Sequence, residues 1–466
     1  MKYLSAFSRL LFVAVAGFSY DAAAFMITQN DPYPLASAEY PCAFLATGYK
    51  ENRKTGHVKI NEETTHFSFT PFAQRASTGT DYQKNDITDL GNLHGGWSMG
   101  GLLYGSIPQG QTQPALLTAA AAQTYQDGHT LNYINYKDIN NHLGFFSIPL
   151  TYRKAGFRAE FQWRFMRSFV LGIQAGFADI KQTPGAFTDQ SSTASTVSDI
   201  YGNTGGITSL TADILTFQQF LTDRPVAQQI FDQLGYDTRP FNKSGVEDLF
   251  VSVTWRDHIF FNTGKDKKRE WSSFSIMPFI SLKGSFGFGD KKDTTKLFGL
   301  PFGNNGHHSI QLTSGLSFDF TETLELTAKI GGTHYFKRNI SNMFIPTSKG
   351  QSGIFPYATN VTYEPGKTWF FTVGCNSHHF LDKLSMYAEY YFIQHEKDSI
   401  KLITPDTAFI PSVLEDVTLF NVQGINLGMS YDLASNISIG GVWQFPVVTR
   451  NAYKTNTITL NFLVTL

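Results

Sequence analysis

In a series of segments between Thr65 and Leu466 apolar and polar residues alternate with period two, the spacing of strands that carry one apolar face. The terminal stretch NTITLNFLVTL shows it plainly. Ile458, Leu460, Phe462, Val464 and Leu466 share one side, and Thr457, Thr459, Asn461, Leu463 and Thr465 share the other. Upstream the same pattern predicts strands around Ile437–Val447, Leu419–Tyr431, Leu384–Phe392, Trp369–Cys375, Leu324–Ile330, Ile310–Phe320, Phe274–Leu282, Leu249–Ile259, Phe169–Phe177 and Phe157–Phe165. THFSFTPFAQRA, Thr65 to Ala76, is the first of the set.

The connections alternate in length. Short turns at MRS, TET, FLDK and ASN follow long segments rich in Gly, Asn, Ser and Pro, such as Asp179 to Gly245, Lys337 to Gly366 and Lys397 to Glu415. An outer-membrane barrel has this asymmetry, with short periplasmic turns and long extracellular loops. Strands of about 10 to 14 residues also fit a tilted crossing of hydrocarbon. The predicted fold class is therefore all-β, a transmembrane antiparallel β-barrel at residues 65–466 with long loops at 77–145 and 180–246. Counting back from the last strand gives twelve strands. This requires FFSIPLTYRKAGFRAEFQWRF to be one strand with a bulge near Arg153 to Ala155, where the apolar parity changes. The alternative is a tight turn there with GNLHGGWSMGGLLYG as a further strand, giving fourteen. Gln111 to Gln126 and Ser209 to Tyr236 carry helical spacing, the second broken at Pro225, and predict helical insertions in extracellular loops.

In lipid every backbone donor and acceptor needs a partner, so the last strand must close on the first. The terminal segment resembles the C-terminal assembly signal of bacterial outer-membrane β-barrel proteins, departing from it in Leu466, where that family usually carries an aromatic residue. The resemblance implies a porin-like barrel in the outer membrane of a Gram-negative cell. It also implies outer-membrane lipid and the barrel assembly machinery as partners, the latter through the C-terminal strand.

Composition agrees with this class. Charged residues are 16% and aromatic residues 15%, with 42 Phe and 21 Tyr, whereas a soluble domain carries about 25% charge. After residue 20 no apolar run reaches the roughly 18 residues of a membrane helix. Lys2 and Arg9 before the apolar stretch Leu10 to Phe18, then Ala22 to Ala24, predict a signal peptide at residues 1–24. Residues 25–64 then form a periplasmic N-terminal segment. The formal net charge of −1 argues against nucleic acid as a partner, and two cysteines, Cys42 and Cys375, exclude a disulfide-stapled scaffold.

The faces opposite the apolar ones are too polar for a dry core. They place Arg158, Glu160, Arg164, Arg256, Glu325, Lys329 and Glu389 in the lumen as pore-lining candidates. Such charges serve equally as salt-bridged filling or as selectivity elements. Chemistry beyond that is weak, and no cofactor, metal site or catalytic residue is assigned. EPGKTWFF lacks the first P-loop glycine, which is Val361 here. Ser377 and His378 are strand neighbours on opposite faces, so they do not make a nucleophile–base pair. His307 and His308 alternate in the same way and lack further ligands. The sequence reads as a channel or uptake pore passing small polar solutes by passive diffusion. The alternatives are a structural or adhesin barrel acting through its loops and an embedded hydrolase.

Overall fold

A computed structural model describes residues 65–112, 145–189, 229–260 and 274–466, with breaks of at most three residues inside these ranges. The proposed signal peptide, the N-terminal segment and most of both helical insertions lie outside the described residues; of the second insertion, Phe231–Gln233 is helical.

Twelve antiparallel strands form a closed ring. They are β1 Thr65–Ala76, β2 Leu150–Met166, β3 Phe169–Pro184, and β4, which is Phe241–Val246 and Leu249–Arg256 on either side of an interruption at Glu247 and Asp248. Then come β5 Phe274–Phe286, β6 Ser309–Phe320, β7 Leu324–Tyr335 and β8 Thr368–Leu381. β9 Leu384–His395, β10 Phe420–Ala434, β11 Ile437–Arg450 and β12 Asn456–Thr465 complete the set. Each strand pairs with its sequence neighbours. Closure is made by β1 on β12, from His66 opposite Thr465 to Arg75 opposite Asn456. Past the end of that ladder the Leu466 amide donates to the Thr65 carbonyl at 2.8 Å. The first strand thus closes on the last, which is the condition for a sheet to span lipid.

The apolar face of each strand points outward. Phe67, Phe69, Phe157, Phe161, Trp163, Ile173, Leu326, Ile330, Leu427, Leu460 and Phe462 are each about two-fifths exposed or more, as lipid-facing side chains must be. At one end the hairpins turn within a few residues, with Met166 opposite Phe169, Phe320 opposite Leu324, Leu381 opposite Leu384 and Ala434 next to Ile437. These are the four predicted turns.

The twelve-strand count holds, but not through the expected bulge. The ladders of β2 with β1 and β3 run unbroken through Arg153, Lys154 and Ala155. The parity change comes from the surroundings instead. Even-numbered residues of β2 face inward along its whole upper length: Ile148 just before the strand, then Leu150, Tyr152, Lys154 and Arg158 are all buried. Lower down the odd-numbered Phe157, Phe161 and Trp163 meet lipid. Above the lipid, the inner side is apolar and the outer side wet. Among the described residues, the segment expected as a strand in the fourteen-strand alternative contributes Trp97–Ser98, which pairs with Phe145–Ser147 outside the ring.

The long connections build two bodies over the mouth. A cap gathers Leu90, Trp97, Phe231, Leu234, Tyr236, Phe298, Leu300, Phe302, Ile354 and Tyr453 from five connections onto Phe72, Tyr152, Ile180 and Phe241 of the wall. Each large apolar side chain so buried contributes roughly 1.5–3 kcal/mol, which makes the cap an apolar core in its own right. Beside it stands a three-stranded antiparallel sheet, Arg338–Ile345, Tyr357–Glu364 and Ser399–Leu402. Its core holds Ile340, Met343, Ile345, Val361, Tyr363 and Ile400, with Leu414 added from the one-turn helix Ser412–Glu415. Asn342 has φ +54, the left-handed turn that Asn tolerates, where the register shifts between Ile340 and Met343.

Candidate functional site

The inner wall is lined by short polar side chains and spaced charges. Thr70 of β1 hydrogen-bonds Asn461 of β12, and Gln74 donates to the Thr457 hydroxyl at 2.9 Å. Thr254 and Ser281 meet at 2.8 Å, and Ser317 and Thr327 at 3.0 Å. These rungs satisfy one another across neighbouring strands, as buried hydroxyls and amides must.

All seven charged residues predicted to line the lumen project inward, but the structure sorts them into different roles. Arg158 grips the Glu247 carboxylate with two bonds, 2.6 and 2.9 Å, and Lys154 reaches the same carboxylate at 2.8 Å. Glu247 enters from the interruption in β4 and crosses over β3 at Gly176, where a Cβ would collide with the carboxylate. Lys329 pairs with Glu389 at 3.6 Å, and Glu389 also accepts from Asn426 at 3.2 Å. Glu325 accepts from His378 at 3.0 Å and from Asn376 at 3.4 Å. Arg158, Lys329, Glu389 and Glu325 are thus held in wall networks.

The other three lie near the short-turn end. Glu160 accepts from Gln162 at 2.6 Å. Arg164 and Arg256 stand within electrostatic range of each other and of His66, with Glu325 the nearest compensating charge for Arg256. Among the described residues neither arginine has a salt bridge, and the Arg164 Nε has no hydrogen-bond partner. The two guanidinium groups share this end of the lumen with the carboxylates Glu160, Asp319 and Glu325.

Sequence reading missed Lys154 and Glu247. Lys154 was assigned to the bulge, although counting by two from Arg158 puts it on the same face. Glu247 sits beside a predicted loop, and its partners are some ninety residues away in sequence. Also missed was a buried chain at the upper rim: Tyr335 to Thr368 at 3.4 Å, Thr368 to His395 Nδ1 at 2.7 Å, and His395 Nε2 to Asp398 at 3.3 Å. Tyr363 of the three-stranded outer sheet also bonds Asp398, at 3.4 Å. Burial pushes the Asp398 carboxyl well above the usual carboxylate range. His395 and Asp398 are both inaccessible, so the chain ties the outer sheet to the rim. Ser377 and His378 do face opposite sides, with only His378 turned into the lumen. Among the described residues no cluster of metal-ligating side chains occurs.

Between the cap and the outer sheet lies a cavity of about 870 Å³. Leu90, Trp97, Leu150, Phe298, Phe344 and Tyr363 form part of its apolar wall. Lys292, Lys296, Arg338, Lys349, Lys397 and Arg450 also line it, against Asp416 as the single carboxylate among the described residues. Asp416 is already paired with Lys397. Burial lowers the proton affinity of both Lys292 and Arg338, which marks cations held out of bulk water.

A closed twelve-stranded ring with an apolar exterior, a polar interior and loops massed at one mouth defines a transmembrane β-barrel of the outer-membrane type. The chain matches no known protein family and no curated protein by sequence. Among solved structures it is similar to an outer membrane channel from Pseudomonas putida F1, at 7% identity over 88% of this chain and 98% of that one, with a TM-score of 0.44. It is also similar to the toluene transporter TbuX of Ralstonia pickettii, at 12% identity over 96% and 95%, with a TM-score of 0.33. A FadL homologue from Pseudomonas aeruginosa aligns at 10% identity over 95% and 99%, with a TM-score of 0.28. The barrel assignment rests on the strand register itself.

Proposed function

We propose that the protein is an outer-membrane channel passing small polar solutes, with a preference for anions set at its two ends. The observation that carries this is the arrangement of charge along one path. Among the described residues, the vestibule between the cap and the outer sheet is lined by six basic residues and one carboxylate. The polar lumen below has its charges largely neutralised in pairs, and Arg164 and Arg256 at the far end have no salt bridge among the described residues. Fixed cations at a low-dielectric constriction attract anions and repel cations. The cap narrows entry, so the channel is selective by size as well as charge.

Proteoliposomes test this directly. The refolded chain is expected to admit small organic anions faster than neutral sugars of equal size, and the double variant Arg164→Gln, Arg256→Gln to lose that preference while keeping sugar entry. Vesicles as tight as protein-free controls would sink the proposal. A second reading, a barrel working through its surface, is favoured by the extracellular sheet with its own apolar core. It predicts tight vesicles.

A further inference from the structure

The outer surface of the barrel carries basic residues in an arrangement that costs stability unless something neutralises it. Arg75 on β1 lies directly opposite Arg153 on β2, and Arg153 lies directly opposite Lys181 on β3. All three are exposed and belong to the outward-facing parity of their strands. Like charges directly opposite across a sheet repel. Among the described residues none of the three has a salt bridge. The nearest outward carboxylate on these strands, Asp179, is one outward position below Lys181 and accepts from the Ser244 hydroxyl at 2.9 Å.

The position of this ladder says what neutralises it. Below it, past the small side chains Ala73 and Ala155 and the carboxylate Asp179, the same strands carry the lipid-facing aromatic rings Phe69, Phe157 and Phe177, with centroids 5.3 and 6.0 Å apart. Above it begin the long connections. The three cations therefore sit where hydrocarbon gives way to headgroups on the side of the long loops. Arg75 also lines a recess of about 270 Å³ with Trp443, Phe445 and Pro446 of β11 and with Lys454. Trp443 and Phe445 pack with ring centroids 4.5 Å apart along its side, and Lys454 is occupied by Asp86 at 2.7 Å. Pro446 cannot donate to a ladder, and the pairing of β11 with β12 stops at Gln444 opposite Thr457, so the wall is open at this level.

We infer that Arg75, Arg153 and Lys181 form a docking site for the phosphate groups of a phosphorylated outer-leaflet glycolipid, seated against the aromatic belt with Arg75 reaching into the adjoining recess. Guanidinium groups hold phosphate through paired donors, and a doubly charged headgroup spans neighbouring cations. The inference is independent of whether the barrel conducts.

Native mass spectrometry of the full chain, refolded in detergent with diphosphoryl lipid A, tests it. The wild type is expected to retain the lipid, and to retain its dephosphorylated counterpart far less. The triple variant Arg75→Gln, Arg153→Gln, Lys181→Gln should weaken retention on the order of a hundredfold, and Arg153→Gln alone about fivefold, which keeps the test valid if the triple variant folds poorly. Lys401→Gln, an exposed change on the extracellular sheet, should leave retention as it is. Equal retention of the dephosphorylated lipid, or retention unchanged in Arg153→Gln, would overturn the inference. Complete displacement by millimolar inorganic phosphate would overturn it too, since the site would then take free phosphate and not a lipid.

Discussion

The two ends of β2 obey opposite rules. Between Phe157 and Trp163 the apolar residues point outward and the polar ones inward; above Lys154, Tyr152, Leu150 and Ile148 point inward while Thr151 and Arg153 are exposed on the outer side. β10 repeats this, with Phe420 and Val422 buried at the rim and Leu427, Met429 and Tyr431 exposed below. In β9 Tyr391 and Ile393 face in while Met386 and Tyr390 face out. The backbone register does not change in the upper part of β2. What changes is the solvent: hydrocarbon outside the lower barrel, water outside the upper one. The lower barrel is thus an inside-out protein and the upper part an ordinary one with a core, joined along the same strands.

The largest effect is expected where the polar interior is charged. Glu247→Ala leaves Lys154 and Arg158 facing each other without their shared carboxylate, and breaking a buried ion pair in this way costs about 3–5 kcal/mol. The urea midpoint of the refolded barrel, followed by its heat-modifiable gel mobility, should fall accordingly. Next, Leu460→Arg on the lipid face of β12 should cost about 2–4 kcal/mol near the bilayer midplane, while Thr183→Arg, an outward position of β3 above Lys181, should be nearly neutral in the same assay. Equal costs at the two positions would break the comparison.

Acid should act on the cap before the barrel. Buried His307 keeps its imidazole neutral, its pKa lowered to about 4 by loss of water around the ring, with Arg338, His308 and Lys291 adding smaller repulsion. Its ring nitrogen meets the Phe336 carbonyl at 2.9 Å. The opened form binds the proton at the ordinary 6.5 and the folded form only near 4, so the stability tied to neutral His307 is present above pH 6.5 and is lost as pH falls toward 4. Limited proteolysis should therefore cut the cap faster at pH 5 than at pH 7, and His307→Gln should flatten that dependence. The smallest effect is expected for Lys397→Gln. Its pair with Asp416 is half exposed, and such pairs contribute about 0–1 kcal/mol.

Much of the lower barrel was legible in the sequence because one rule governs it. Period two, applied with lipid on the apolar side, locates all twelve strands, the four tight turns and the inward face carrying Arg158, Glu325, Lys329 and Glu389. The same rule fails above the lipid, where it turned the inversion at Tyr152 and Phe157 into a bulge. The outer sheet was illegible for a different reason. Its strands pair over long distances, Val361 with Leu402 for example, and each is too short for alternation to stand out. Glu247 lies at the interruption of β4 and the vestibule cations Lys292 and Arg338 in connections, where no periodicity assigns a face; only folding brings Glu247 to Arg158 and the two cations to the cavity.

The most direct test of the channel is single-molecule current in a planar bilayer under a potassium chloride gradient, for the wild type and for Lys292→Gln, Arg338→Gln. Discrete steps with a reversal potential displaced toward chloride, shifting toward zero in the double variant, are what a path through the cationic vestibule predicts. A correctly refolded barrel that stays silent, or steps whose selectivity ignores the two substitutions, would contradict it.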